Sequence, residues 1–268
     1  MEITNKSNRQ GRNLLAYAQM NGLELLRTGD LEKPLGINAK QERELFSRMS
    51  RRGLIIRLLR GAYLVPMTMP PGGIFAASEY KIISQLMKSV GGRYQICGPN
   101  AFNYYGFSEQ LPNRTYVYNN KFSGDRKIGG LQFTFIKLQD RRLGGEIRRK
   151  MPEGMEVMMS GKARTLIDAL DDYDRFCTIP QAYKWILDEI KKNAVLLPEL
   201  CTVAEKYARQ GTLRRLGWLL SEKAGEEKIA ERLLKRLTSK KTVFALLPEL
   251  PMKGSINSKW GIMTNGRF

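Results

Sequence analysis

GINAKQERELFSRMSRRGLIIRLLRGAYLVP, residues 36–66, reads as a capped helix followed by a short hairpin. Asn38 is placed to accept hydrogen bonds from the first free N–H groups of a helix. Leu45, Phe46 and Met49 then recur at helical spacing and make one face apolar. Lys40, Arg43, Ser47, Arg48 and Arg51 fall on the other face. Gly53 suits the position just past a helix end. Beyond it, Leu54, Ile55 and Ile56, a turn at Arg60-Gly61, and Ala62-Tyr63-Leu64-Val65 give two short apolar runs of strand type, closed by Pro66. A basic amphipathic helix followed by a small hairpin bearing Arg57 and Arg60 is the pattern of a recognition helix and wing. Such a unit lays its helix in the DNA major groove while the hairpin reaches flanking phosphates. Basic amphipathic helices are often no more than solvated faces. Charge on the hairpin and two further helical candidates upstream favour the winged reading.

Upstream of this stretch, residues 1–10 are polar and expected to fray. Leu14, Leu15 and Ala18 mark a first helix over 11–19, residues 23–26 a short strand, and Thr28 or Asp30 can cap a brief helix through Leu35. Downstream, MTMPPGG (67–73) has linker composition. The expected division is a winged helix-turn-helix DNA-binding domain over 1–72 and a mixed α/β domain over 73–268, an α+β protein with a helical C-terminal half. Within the second part the patterning predicts a helix over 75–88 and a short helix from Pro99. Strands are expected over 94–97, 114–118, 126–128, 131–138 and 155–159. SGKARTLIDAL (160–170) reads as a helix capped by Ser160, with Arg164 and Asp168 one turn apart on one face. Four more helices follow, over 180–193, 198–210, 212–223 and 226–236, with closing strands over 242–247 and 259–263 that could rejoin the sheet.

The chain carries 45 Lys+Arg against 26 Asp+Glu, a net charge of +19 in 268 residues. The basic excess is +6 over 1–72, +6 over 73–160 and +7 over 161–268, so it belongs to the whole chain and not to a tail. Polyanions will hold such a surface by counterion release. The sequence contains no histidine, which excludes imidazole bases, Ser-His and Cys-His nucleophilic pairs, and histidine metal ligands. Cys97, Cys177 and Cys201 are scattered and form no C-x-x-C pair, the usage of reduced cytoplasmic thiols. No apolar run is long enough to span a bilayer and the start has no leader character, so a cytoplasmic protein without membrane contact is expected. Asp125, Asp140, Glu146 and Lys150 are too loosely spaced for a metal-dependent nuclease, and the glycine pairs lack the nucleotide-loop patterns. Asp171-Asp172-Tyr173-Asp174 reads as a solvated loop. No enzyme, metal or cofactor is expected.

With these motifs placed, the chain resembles the AbiEi family of antitoxins from type IV abortive-infection toxin–antitoxin operons. The resemblance rests on RRGLIIRLLRGAYLVP (51–66), YQICGPNAFNYYGF (94–107), RTYVYNN (114–120) and SGKARTLIDAL (160–170). It implies a transcriptional autorepressor whose winged helix binds operator DNA with inverted repeats, through Lys40, Arg43, Ser47, Arg48, Arg51, Arg57 and Arg60. It implies also that the C-terminal domain counteracts a co-encoded nucleotidyltransferase toxin, with Arg164, Thr165 and Asp168 as motif positions of structural character. Two other classes fit the residues: a transcription factor with a ligand-sensing C-terminal domain, and an RNA-binding protein stacking bases on Tyr104, Tyr105, Tyr116 and Tyr118.

Overall fold

In the computed structural model, which describes residues 2–68, 72–151, 154–239 and 242–268, the N-terminal elements are α1 (Glu2–Met20), β1 (Leu25–Arg27), α2 (Glu32–Leu35), α3 (Ala39–Arg51), β2 (Ile56–Leu59) and β3 (Ala62–Leu64). The three strands form one antiparallel sheet in the order β1-β3-β2. Three helices and a three-stranded sheet in this order make a winged helix-turn-helix. α1 begins at Glu2, earlier than the polar composition of residues 1–10 suggested, because neither proline nor glycine precedes Gly11 to stop the helix propagating backward. β2 begins two residues later than expected. Leu54 and Ile55 are spent leaving the helix: the N–H of Leu54 donates to Met49 O at 3.0 Å, and Gly53 sits at φ +70°. Of the expected linker, residues 69–71 lie outside the described residues.

The contacts of the chain gather into two units, Met1–Arg93 with Gly124–Thr134, and Tyr94–Ser123 with Phe135–Phe268. In the first unit the core joins Leu14, Leu26, Leu31, Leu45, Phe46 and Tyr63. The Phe46 and Tyr63 rings stack with centroids 4.3 Å apart, tying α3 to the wing strand β3. α4 (Glu79–Ser89), capped by Ser78, also belongs here. Lys81 on it pairs with Glu24 at 2.6 Å, and Arg27 donates to Ser89 O at 2.8 Å.

The second unit contains β4 (Tyr94–Ile96), α5 (Gly98–Tyr104) and β5 (Thr115–Asn119). β6 (Gly124–Ile128) and the first half of β7 (Leu131–Lys137) then lie with the first unit, and the end of β7 with the second. β8 (Glu146–Lys150) and β9 (Glu156–Ser160) complete the strands of the sheet, in which β7, β5, β4, β9 and β8 lie side by side. β4 is antiparallel to β5 and parallel to β9. β8 has no counterpart among the expected strands, since a charged edge strand of sequence EIRRK has no apolar face to betray it.

The rest is helical: α6 (Lys162–Asp171), α7 (Tyr173–Phe176), α8 (Gln181–Lys192), α9 (Leu196–Tyr207), α10 (Gln210–Glu222) and α11 (Glu227–Leu234). α6 is the centre of this unit, buried from Ala163 to Asp171 and packed by α5, α8, α9 and α10. Its N-cap is Gly161, not Ser160; the Ser160 hydroxyl instead donates to Asp168 at 3.3 Å. The closing strands do not rejoin the sheet. β10 (Phe244–Ala245), β11 (Ser255–Asn257) and β12 (Ile262–Thr264) form a separate three-stranded sheet, parallel between β10 and β12 and antiparallel between β11 and β12.

Candidate nucleic-acid interface

α3 is positioned at both ends by its own sequence. The Asn38 carboxamide oxygen accepts from the N–H of Lys40 and Gln41, at 3.1 and 3.0 Å, while the Gln41 side chain accepts from Asn38 N at 3.0 Å. This reciprocal capping box fixes where the helix starts, and therefore which residues face outward. Leu45, Phe46 and Met49 are buried against the core, and Lys40, Arg43, Ser47 and Arg51 are exposed. Glu44 is exposed on the same side, a negative charge within the basic face that sequence reading passed over. Arg48 is placed differently from its neighbours: half-buried, it turns toward α1, with its guanidinium 3.5 Å from the Gln10 side-chain oxygen. On the wing, Arg57 and Arg60 are exposed. The guanidinium of Arg57 donates back to Leu59 O at 3.4 Å, beside an irregularity in the β2–β3 register. Gly61, at φ +79°, lets the hairpin turn tightly against Thr28.

The angle between α3 and the preceding turn is held by a residue that amphipathic patterning does not single out. Glu42 is fully buried. One carboxylate oxygen accepts from Gly29 N at 2.7 Å and the other from Leu31 N at 2.9 Å. A carboxylate satisfied by two backbone donors joins the β1–α2 turn to the first turn of α3, so the helix-turn-helix angle is built into one side chain.

The second unit holds a different polar cluster. Arg164 and Asp168, one turn apart on α6, are both buried and pair at 2.7 Å. The guanidinium donates further to Arg142 O and Gly144 O, each at 3.1 Å, and lies over the rings of Tyr207 and Tyr118. Gln95 donates to Ser160 and accepts from Gly144 N. Thr165 donates to Gly161 O at 2.9 Å. Asp171 and Asp172 are not a solvated loop. Both are buried, because Arg142 and Arg209 approach Asp171, Arg209 also approaches Asp172, and the Tyr118 hydroxyl donates to Asp172 at 2.5 Å. Burial away from water, with Asp172 and Asp171 nearby, pushes the Asp168 carboxyl up to about 7 against the pull of Arg164. Burial likewise raises the Tyr118 phenol and the Cys97 thiol. Every polar atom of α6 named here faces a protein partner, the arrangement of a structural network joining β4, β9 and α6.

The four tyrosines considered for base stacking do not form one exposed surface, although the Tyr104 and Tyr105 rings meet edge-on. Tyr118 is buried, Tyr116 packs edge-on against Phe176, Tyr105 donates to Ser160 O, and Tyr104 stands exposed. Among the described residues no helix is long and apolar enough to cross a membrane.

The first unit is thus a winged helix-turn-helix with a capped basic helix, the class of a DNA-reading module. Residues 13–66, within that unit, match the family of transcriptional regulators described as AbiEi antitoxin. Over its length the chain shares its fold with the RV2827C protein from Mycobacterium tuberculosis, whose crystal structure superposes with a TM-score of 0.59 at 12% identity, covering 94% of this chain and 90% of that one. No curated protein matches the sequence.

Proposed function

We propose that this protein is a transcriptional autorepressor and antitoxin of a type IV toxin–antitoxin pair, acting in the cytoplasm without catalysis of its own. Residues 1–72 form its DNA-binding module and residues 73–268 its antitoxin domain. The observation that carries the reading is the exposed basic face of α3, fixed by the Asn38–Gln41 capping box within a segment that matches antitoxin regulators. Lys40, Arg43, Ser47 and Arg51 face the major groove of an operator with inverted repeats, Arg48 approaches the backbone beside α1, and Arg57 and Arg60 reach flanking phosphates. The C-terminal domain counteracts a nucleotidyltransferase toxin encoded beside it. Arg164, Thr165 and Asp168 keep that domain in shape.

The test is a fluorescence-anisotropy titration of the full chain against its own upstream DNA and a scrambled duplex, at two salt concentrations. Promoter binding that stays tighter than scrambled binding at the higher salt supports a sequence-reading repressor. Equal binding to both, erased by salt, would mean that the +19 charge acts alone. For the antitoxin role, co-expression with the neighbouring nucleotidyltransferase should restore growth; persistent toxicity beside folded protein would reject it.

A further inference from the structure

We propose that the second unit carries a binding site for an uncharged, planar heteroaromatic ligand of nucleobase or nucleoside type. The site is a cavity of about 520 Å³ between α5, the loop that leads to β5, and the α7–α8 junction. Small-molecule sites typically span roughly 300–1,000 Å³. The inference concerns this unit alone and stands whether or not α3 reads an operator.

The walls specify the chemistry. Phe102, Tyr116, Phe176 and Trp185 supply rings from four separate elements. Phe176 meets Phe102 and Tyr116 edge-on, each with centroids 5.6 Å apart, and Phe102 lies 5.4 Å from Trp185. The far edge of the Phe176 ring is seated on Gly98, where an added Cβ would come within 2.6 Å of it, so the glycine at the start of α5 makes room for this wall. These aromatic side chains give a flat ligand rings to pack against. Among the polar lining residues, the amides Gln110, Asn113 and Gln181 are exposed. Each carries a donor beside an acceptor, the complement of the N–H and C=O or ring-nitrogen edges of a heteroaromatic base.

What the lining lacks narrows the ligand further. In a chain with 45 Lys and Arg residues, no lysine, arginine, aspartate or glutamate among the described residues lines this cavity. A phosphate or carboxylate would lose its hydration here without gaining a counter-charge, so charged ligands are disfavoured. The Thr178 hydroxyl is already engaged with Ala169 O at 2.6 Å, which leaves the amides and Ser108 to set orientation.

Two native reporters make the site testable in the full chain. Cys177, in the wall, is exposed, whereas Cys97 and Cys201 are buried. Trp185 lines the cavity, whereas Trp218 and Trp260 are buried in the core. The experiment measures iodoacetamide alkylation of Cys177 by peptide mass spectrometry, and tryptophan fluorescence, during titration with adenosine, guanosine, cytidine and uridine and with their monophosphates. At least one nucleoside should slow alkylation of Cys177 fivefold or more and change the fluorescence at the same half-saturating concentration. Its monophosphate should need at least ten times more. Asn113→Ala and Gln181→Ala should each raise the nucleoside concentration required by fivefold or more, with unchanged circular dichroism and thermal unfolding. Absence of protection at millimolar nucleoside would overturn the proposal, as would monophosphates acting equally well, or an undiminished response in the doubly substituted protein.

Discussion

Glu42 and Asp168 are both buried carboxylates, set in different surroundings. Glu42 receives two backbone N–H donors and joins the turn to α3. Glu42→Ala leaves both donors without a partner in the interior and should cost about 1–3 kcal/mol, read from urea unfolding. Glu42→Gln, which restores only one acceptor oxygen, should fall between the two. Asp168 is held neutral up to about 7, mainly by burial. Its carboxyl in the unfolded chain titrates near 3.8, so between 3.8 and about 7 the folded state keeps a proton that the unfolded state has lost. Its contribution to stability is therefore full below that window and declines as pH rises through it. In urea midpoints at pH 5 and pH 8, Asp168→Asn should abolish this share of the decline, so its deficit against the native protein should be larger at pH 5. A deficit independent of pH would show that Asp168 is ionised throughout.

At the scale of elements, α3 and α10 show how a helix face acquires meaning from what lies against it. The sequence marks five polar positions on α3 as equivalent, but only the fold turns Arg48 toward Gln10 while Arg51 stays exposed. Arg51→Ala should therefore weaken operator binding by about 1–3 kcal/mol if it contacts a base edge, and Arg48→Ala by less, in the same anisotropy titration. On the wing, removing Arg57 or Arg60 should lower affinity for all duplexes alike and reduce the salt slope by about one. In α10, glycine at position 217 is a weak helix former, and alanine there would ordinarily stabilise by about 1 kcal/mol. Here a Cβ would run into the Trp260 ring, which is fully buried, so Gly217→Ala should instead destabilise by about 1–3 kcal/mol in thermal or urea unfolding.

Across the whole molecule, the first unit is discontinuous in sequence. α4 and residues 124–134 gather with the winged helix, and Gly129 lies close to Ile56 and Ile82. A fragment ending at residue 72 lacks the Lys81–Glu24 pair, the Arg27 bond to Ser89 O and the apolar cover of α4. A fragment of residues 1–93 should consequently melt at a higher temperature than residues 1–72, measured by circular dichroism. Equal melting temperatures would make α4 an ornament on an independent winged helix. The net charge of +19 belongs to this scale too, and it sets the salt dependence of any DNA titration.

The helix cap, the turn glycines and the three-and-four apolar spacing are local signals, and from them the winged helix, most strands and the helical C-terminal half can be read along the chain. Their physics acts within a few residues, so no partner element is needed to read them. Tertiary structure alone decided which polar residues are buried. Asp171 and Asp172 look solvated in the sequence; they and Glu42 become satisfied interior groups only because Gly29, Arg142 and Arg209 are brought to them from 13, 29 and 38 residues away. It also assembled the aromatic cavity, whose rings lie on four elements separated along the chain. Burial and cavities depend on long-range packing, and a periodicity measured along one segment carries no information about the segment that covers it.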